Sequence, residues 1–207
     1  MLWSTLLKTY ELPDTEAHIF TIPSKRNKTL YNSELNTLRT ATECMSSIFG
    51  GANTICNITY DSFYKKSNAK SEKLALNQLL ILKDNFSENS QKYTNGNYYI
   101  EWLSEQLAEK ALNIFKQIEK GGGFLKQVKK GTIQKKIAET AHKEQELFNN
   151  KELIITENNQ IDAMQNKMKD SIELFPFTKK RSRKTIIQPI ISKRLTEDLE
   201  QKRLKDE

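Results

Sequence analysis

The feature that most constrains this chain is an amphipathic pattern that runs into two glycines and then into a short apolar segment. In residues 31–58, YNSELNTLRTATECMSSIFGGANTICNI, apolar side chains recur at steps of three and four residues, which predicts a helix with one buried stripe. The predicted stripe consists of Leu35, Leu38, Ala41, Thr42, Met45, Ile48 and Phe49. Gly50 and Gly51 are expected to end the helix, because glycine adopts the left-handed cap conformation at little cost. Residues 53–58 then form a strand.

Strand and helix patterns alternate along the rest of the chain. HIFTI at residues 18–22 and ELIIT at residues 152–156 have the composition of strands, and Asn32 or Ser33 is expected to cap the helix that follows the first of them. Further helices are predicted at about residues 2–10, 71–85, 98–123 and 124–148, the last range being divided at Gly131. This alternation predicts βαβ units, a parallel sheet and an α/β fold. So few strands would leave open sheet edges, so we expect the sheet to continue outside this sequence or in a partner.

Composition and cysteine usage narrow the class of protein. Of the 207 residues, 37% are hydrophobic and 29% are charged, which favours a polar globular protein. No apolar run approaches the ~20 residues of a membrane span, and the N-terminus lacks the basic region and cleavage site of a signal peptide. Cys44 and Cys56 have neither metal-site nor redox-motif spacing and favour a reducing compartment. We therefore expect a cytoplasmic protein without membrane contact.

The net charge of +7 raises the question of an acidic partner. Its densest cluster, KKRSRK at residues 179–184, is consistent with a phosphate or nucleic-acid contact or with a solvated linker. Aromatic side chains do not alternate with the basic ones, and no nucleic-acid-binding motif accompanies them. We favour the linker and expect no nucleic-acid partner, with a basic helical nucleic-acid-binding protein as the alternative.

A series of short patterns occurs in a fixed order along the chain. They are Leu30-Tyr31, N-x-L-R-T-x-T-E-x-M at residues 36–45, Gly50-Gly51-Ala52, Asn77-Gln78 followed by LLIL, NGNYYIEWLSEQLAEKALNIFKQIEKGGGF at residues 95–124, and KKGTIQKKIAETAHKEQ at residues 129–145. Together they resemble the acyl-CoA mutase family, specifically methylmalonyl-CoA mutase. The segment FPFTKKRSRKTIIQPIISKRL, residues 175–195, is similar to the end of the small subunit of two-subunit bacterial mutases. The resemblance covers nearly the whole chain.

The resemblance implies the later part of a (β/α)₈ TIM-type barrel followed by a C-terminal helical arm. On that basis, residues 1–158 are expected to form a partial barrel domain and residues 159–207 the arm. The family binds its CoA substrate along the barrel axis and cobalamin in a separate domain that carries a D-x-H-x-x-G motif. This motif is absent from the sequence, and His18 and His142 lie in other contexts. We expect no metal or cofactor on this chain and adenosylcobalamin on a large catalytic subunit.

The resemblance also identifies where substrate-facing residues would lie. The family pattern R-x-H-x-Q-T-S matches residues 18–24, so its His and Gln fall on Phe20 and Ile22. The pattern G-G-T-Q-S-L-H-T-N matches residues 50–58, where Asn53 and Thr54 stay polar and Ile58 replaces the last Asn. Phenyl and alkyl groups can neither donate a hydrogen bond nor stabilise developing charge. We therefore expect no catalytic residue here, and apolar groups that fill a packed barrel interior.

What the resemblance implies for function is a small, non-catalytic subunit of a mutase that interconverts methylmalonyl-CoA and succinyl-CoA. The expected partner is the large catalytic subunit, in a heterodimer contacted through helix faces and residues 175–195. The apolar anchors of that segment are Phe175, Phe177, Ile186, Ile187, Ile190 and Ile191. A divergent mutase half that still binds CoA is the alternative within the family.

Two other groups of residues have a structural interpretation. Arg39, Thr40 and Glu43 are predicted to form a structural network near the start of their helix. A lone strand cysteine such as Cys56 is more often a small buried hydrophobe than a nucleophile.

Overall fold

The structure of the chain is a computed structural model that describes residues 2–86, 94–155, 167–179 and 185–207. In chain order its elements are α1 (Leu2–Thr9), β1 (Phe20–Thr21), α2 (Leu35–Phe49), β2 (Thr54–Ile55), α3 (Ala69–Phe86), α4 (Tyr98–Lys120), α5 (Phe124–Lys129), α6 (Thr132–Asn149), a 3₁₀ turn (Lys169–Ser171) and α7 (Glu197–Asp206). The predicted helices are confirmed to within a few residues. The division at Gly131 is confirmed too, since this glycine has a φ of +76° between α5 and α6.

Strands β1 and β2 form a short parallel pair joined through α2. Phe20 is aligned with Thr54 and Thr21 with Ile55, and the Cys56 N–H extends the ladder by donating to Thr21 O at 2.9 Å. This confirms an α/β chain with a parallel sheet, although the described residues contribute two strands to it. The third predicted strand is wrong for the part that is described, because residues 152–155 are bends and irregular chain. A TIM-type barrel is therefore not formed within the described ranges, because closure needs about eight strands.

The buried face of α2 differs from the predicted stripe. Asn36, Thr40 and Cys44 are its buried residues, spaced four apart, while Leu35 and Leu38 are 42% and 65% exposed. The reason is that α2 packs on α3 and on the preceding loop through hydrogen bonds, and small polar side chains serve that contact. The apolar stripe was correctly placed on one face of the helix, but that face is only partly covered: the Phe49 ring packs edge-on against Phe86 of α3 at 5.4 Å between centroids, while Leu35 and Leu38 stay exposed.

The caps predicted for the two ends of α2 agree with the structure at the C-terminus but not at the N-terminus. At the C-terminus, Gly51 has a φ of +75°, and the next N–H, from Ala52, donates to Ser47 O at 3.1 Å, as a glycine cap should. At the N-terminus the predicted side-chain cap is wrong: Glu34 occupies the cap position, without a side-chain hydrogen bond. Asn32 instead has a φ of +51°, and its carbonyl accepts the Leu35 N–H at 3.0 Å, so a backbone turn starts the helix.

A small core forms where the C-terminal segment meets the loop before α2. Its members are Leu30, Tyr31, Tyr64 and Phe177, with Phe63, Met168, Ile172 and Leu204 packed against them. Residues 167–179 and 185–195 therefore form an irregular arm, the first part of which packs on the chain's own core, and helix α7 follows. The predicted domain boundary near residue 158 falls in residues 156–166, outside the described residues, and stays a prediction.

Much of the apolar surface of the helices lies open. In α4 no residue is buried, and its apolar residues Trp102, Leu107 and Ile114 are exposed. In α3, Leu76, Leu80 and Ile81 are exposed as well. None of the described helices is long and apolar enough to cross a membrane.

Candidate functional site

The residues at the predicted substrate-facing positions lie on and beside the β1–β2 ladder. Aligned residues of a parallel pair project to the same face, and successive residues project to opposite faces. Phe20 and Thr54 therefore share one face, and Ile22 and Cys56 continue it. Thr21 and Ile55 belong to the opposite face. We call the Phe20–Thr54 side the ladder face.

The side opposite the ladder face is the one covered by helices. Asn57, two residues after Ile55, donates its side-chain amide to Ala75 O at 3.1 Å and to Gln78 Oε1 at 2.8 Å, both in α3. The ladder face is open instead, and Phe20 and Ile22 are 58% and 56% exposed. The two described strands enclose no interior, so the expectation that these two side chains fill a packed barrel interior stays a prediction.

The polar residues of the predicted site hold the two strand segments together. Asn53 Oδ1 accepts a hydrogen bond from the Ile19 N–H at 2.7 Å, and Thr54 Oγ1 lies 2.9 Å from His18 Nε2. Ile58 is half-buried beyond the end of β2, and its N–H donates to Asn57 Oδ1 at 2.9 Å. The ladder face thus combines apolar side chains with polar groups that already have partners within the chain.

A buried polar cluster lies between the loop at residues 24–30 and α2. The Lys28 ammonium is 2% exposed and pairs with Glu43 at 2.8 Å. Glu43 also accepts hydrogen bonds from the Ser24 N–H at 3.1 Å and from the Asn27 amide at 2.7 Å. Burial lowers the pKa of Lys28, although its bond to Glu43 acts in the opposite direction. No sequence pattern indicates this buried lysine, because a lysine in a polar loop is usually solvated.

The predicted network of Arg39, Thr40 and Glu43 divides into separate sets of contacts: Glu43 bonds to the loop before α2, and Thr40 to Thr37 O and Gln78. Arg39 has partners of its own. The guanidinium donates to Asn36 Oδ1 at 2.7 Å, to Thr29 Oγ1 at 3.0 Å and to Ile155 O at 2.6 Å. It therefore ties α2 to the preceding loop and to the segment after α6. All of its donors point into the protein's own backbone and side chains, as a structural residue's would.

Neither cysteine has the environment of an activated nucleophile. Cys44 is 1% exposed, and burial, followed by the charge of Glu43, raises the pKa of its thiol to about 11. A thiol with a raised pKa stays protonated near neutral pH and reacts poorly. Cys56 is half-buried, with its Sγ 3.5 Å from Asn57 O.

Metal and cofactor ligands are equally sparse. Among the described residues, no group of three His, Cys, Asp or Glu side chains could hold a metal ion. His142 lies on the exposed surface of α6, 3.5 Å from Glu146, and His18 bonds to Thr54. Neither histidine lies in a D-x-H-x-x-G sequence, so neither matches the family's cobalt ligand, and the expectation that this chain holds no cofactor stays a prediction. The basic cluster predicted as a possible nucleic-acid contact lies, from residue 180 to 184, outside the described residues.

Comparisons with known proteins agree with the resemblance read from the sequence. The family model of methylmalonyl-CoA mutase matches residues 1–205. The chain is 32% identical to the methylmalonyl-CoA mutase small subunit of Porphyromonas gingivalis over 141 residues, which cover 66% of this chain and 23% of that protein. It is 33% identical to a probable mitochondrial methylmalonyl-CoA mutase of Caenorhabditis elegans over 111 residues, 53% of this chain and 15% of that one.

A relative with a different name matches as well. The 2-hydroxyisobutanoyl-CoA mutase large subunit of Aquincola tertiaricarbonis is 29% identical over 109 residues, which cover 52% of this chain and 19% of the relative. The matched part of the chain thus spans less than a quarter of the length of each of these relatives. Because the family model covers almost every residue, the chain belongs to the methylmalonyl-CoA mutase family.

Proposed function

We propose that this chain is part of a small, non-catalytic subunit of a cobalamin-dependent methylmalonyl-CoA mutase, and that it pairs with the large catalytic subunit. The observation that carries the proposal is the ladder face, where a member of a mutase family has apolar side chains at Phe20 and Ile22. The similarity to a protein named as a small subunit supports the same assignment.

The fold that goes with this function is the later part of a TIM-type barrel. Two parallel strands joined through a helix are one unit of such a barrel, and α3 covers the outer side of that unit. An isolated pair of strands is marginally stable in water, so additional strands beside β1 and β2 would stabilise it. Phe20 and Ile22 would then point to the barrel axis and be covered there.

The proposed lack of catalytic activity follows from the chemical groups of Phe20, Ile22 and Thr54. Acyl-group chemistry needs hydrogen-bond donors aimed at the thioester oxygen, where charge develops. Phe20 and Ile22 have no donor, and the Thr54 hydroxyl is engaged with His18. Adenosylcobalamin would belong to the large subunit, because neither histidine of this chain matches the family's cobalt ligand. The free cysteines support a reducing compartment such as the cytoplasm.

The surface proposed for the large subunit includes the C-terminal arm. Ile186, Ile190 and Ile191 are 101%, 58% and 55% exposed, and Phe175 is 61% exposed. Phe177 has to be removed from the predicted anchors, because it is buried in the chain's own core. Exposed apolar groups on this scale favour a protein partner.

Co-elution tests the pairing. The chain and the large catalytic subunit, mixed at equal concentration, are expected to elute together in size-exclusion chromatography, ahead of either protein alone. Separate elution at micromolar concentration would contradict the proposal.

Calorimetry with methylmalonyl-CoA tests the absence of a substrate site and separates the proposal from the alternative of a CoA-binding half. The unmodified chain is expected to give no heat of binding. A variant that combines Phe20→His with Ile22→Gln restores the family's residue types on the ladder face and serves as the matched comparison. Heat of binding by the unmodified chain would favour the CoA-binding alternative.

A further inference from the structure

An open cavity of about 690 Å³ is lined by residues of several helices, of the loop after β1 and of the C-terminal arm. Its apolar lining comes from α4, α6 and the C-terminal arm. The isoleucines concerned are Ile114, Ile118, Ile133, Ile137, Ile190 and Ile191. None of the residues at the predicted substrate-facing positions lines it. The cavity is therefore a second candidate site, separate from the ladder face, and it shares Ile190 and Ile191 with the arm surface proposed for the large subunit.

The size and lining of the cavity are those of a small-molecule site. Ligand pockets in proteins typically measure about 300–1,000 Å³ and are mostly apolar with a few polar groups. Ile114, Ile137 and Ile190 are 53%, 42% and 58% exposed, so a bound apolar chain would remove a continuous apolar surface from water. On α6 the lining extends from Thr132 to Glu144, a helix length of about 18 Å, which suits an elongated ligand.

The charges around the cavity differ between its two ends. At the end formed by the last turns of α6, Arg26 pairs with Glu144, and Lys193 pairs with Asp198 at 2.6 Å. At the other end the Lys136 ammonium donates to Gln117 Oε1 at 3.1 Å, which is a neutral acceptor. Among the described residues no carboxylate lies within ion-pair distance of Lys136. An anionic group is therefore favoured at the Lys136 end.

We propose that this cavity binds a free amphipathic anion, an unbranched alkyl chain that ends in a carboxylate. The alkyl chain lies against the isoleucines of α4, α6 and the arm, and the carboxylate accepts a hydrogen bond from Lys136 Nζ. Gln117, the present acceptor of Lys136, is a side-chain amide that can donate to the same carboxylate.

Calorimetric titration of the full chain with dodecanoate and with dodecanol, below their aggregation concentrations, tests the proposal. The two probes share one alkyl chain and differ in charge. We expect dodecanoate to bind about threefold more tightly than dodecanol, because the exposed Lys136 ammonium donates a stronger hydrogen bond to a carboxylate than to a neutral hydroxyl. Lys136→Ala should remove this preference and leave the binding of dodecanol unchanged.

The matched control is Lys135→Ala. Lys135 is the neighbouring residue of α6, its side chain is 79% exposed, and it does not line the cavity. The preference for dodecanoate should survive this change. The proposal is overturned if neither probe binds or if both lysine variants behave alike. It is also overturned if phosphatidylglycerol vesicles bind while free dodecanoate does not.

Discussion

At the scale of residues, the ion pair between Arg194 and Glu200 joins the C-terminal arm to the loop before α2. Their charged groups are 2.6 Å apart, and the side chains are 6% and 0% exposed. Glu200 also accepts a hydrogen bond from the Leu30 N–H at 2.7 Å, and Arg194 donates to Lys28 O at 3.1 Å. Both charges are compensated inside the protein, which is the condition under which a buried pair is tolerated.

Removal of one partner of this pair should destabilise the chain strongly. Glu200→Ala leaves the Arg194 guanidinium buried without its counter-charge and the Leu30 N–H without an acceptor, so we expect a loss of about 3–5 kcal/mol in the free energy of unfolding. The control is Asp198→Ala on the same helix, whose pair with Lys193 is exposed on both sides and should contribute less than about 1 kcal/mol. Urea denaturation measures both, and equal losses would contradict the argument.

The buried thiol of Cys44 should make stability depend on alkaline pH. Burial, and then the charge of Glu43, raises its pKa from 9.0 to about 11 in the folded chain. The stability linked to a raised pKa is complete below the unfolded value and is lost as pH rises towards the folded value. Between about pH 8 and about pH 10, Cys44 should therefore subtract about 1 kcal/mol from the free energy of unfolding.

Substitution of Cys44 isolates this effect. The lowered pKa of Lys28 acts in the opposite direction, and a comparison of variants largely cancels it. Cys44→Ala and Cys44→Val should each lose less stability than the parent chain on going from the lower to the higher pH, whatever their stability at neutral pH. Parallel pH profiles for all three proteins in urea denaturation would disprove the role of the thiol.

At the scale of elements, the sequence predicted where helices occur better than which face they bury. The apolar repeat of α2 located the helix and Gly51 located its end, because both signals are local. The buried face, with Asn36 and Cys44, depends on hydrogen bonds to segments far away in the sequence, and periodicity does not report these. Periodicity identifies an apolar face, but not whether the surface that covers it belongs to the same chain.

Gln78 links three elements and provides a test of that packing. Its amide donates to Thr37 O of α2 at 2.8 Å, and its carbonyl oxygen accepts from Asn57 at 2.8 Å. Gln78→Ala leaves these half-buried groups without partners, so we expect a loss of about 1–3 kcal/mol in the free energy of unfolding. Asn77→Ala, the neighbouring exposed position of α3, is the matched control and should change stability by less than about 0.5 kcal/mol. Hydrogen exchange in α2 should accelerate in the Gln78 variant alone.

At the scale of the whole molecule, the order of the motifs predicted the family, and the strand count predicted an incomplete sheet. Both predictions depend on the number and order of patterns along the sequence, and these can be taken directly from the sequence. The covering of the ladder face could not be predicted in the same way, because Phe20 and Ile22 look like core residues in the sequence and lie exposed in the described chain. Whether such residues are buried depends on surfaces that one chain's sequence does not contain.

The proposed contact of the arm with the large subunit gives the last prediction. Ile186 is 101% exposed, so Ile186→Asp should leave the urea denaturation midpoint of the isolated chain unchanged. In the complex the new carboxylate would be buried against apolar surface, and we expect the affinity for the large subunit to fall at least about tenfold. Asn150→Asp adds the same charge at an exposed position at the end of α6 and serves as the control.

If titration calorimetry gives both variants the affinity of the parent chain, the arm does not contact the large subunit through Ile186. Equal weakening by both would mean that the added charge acts at long range, which raised salt concentration would reverse.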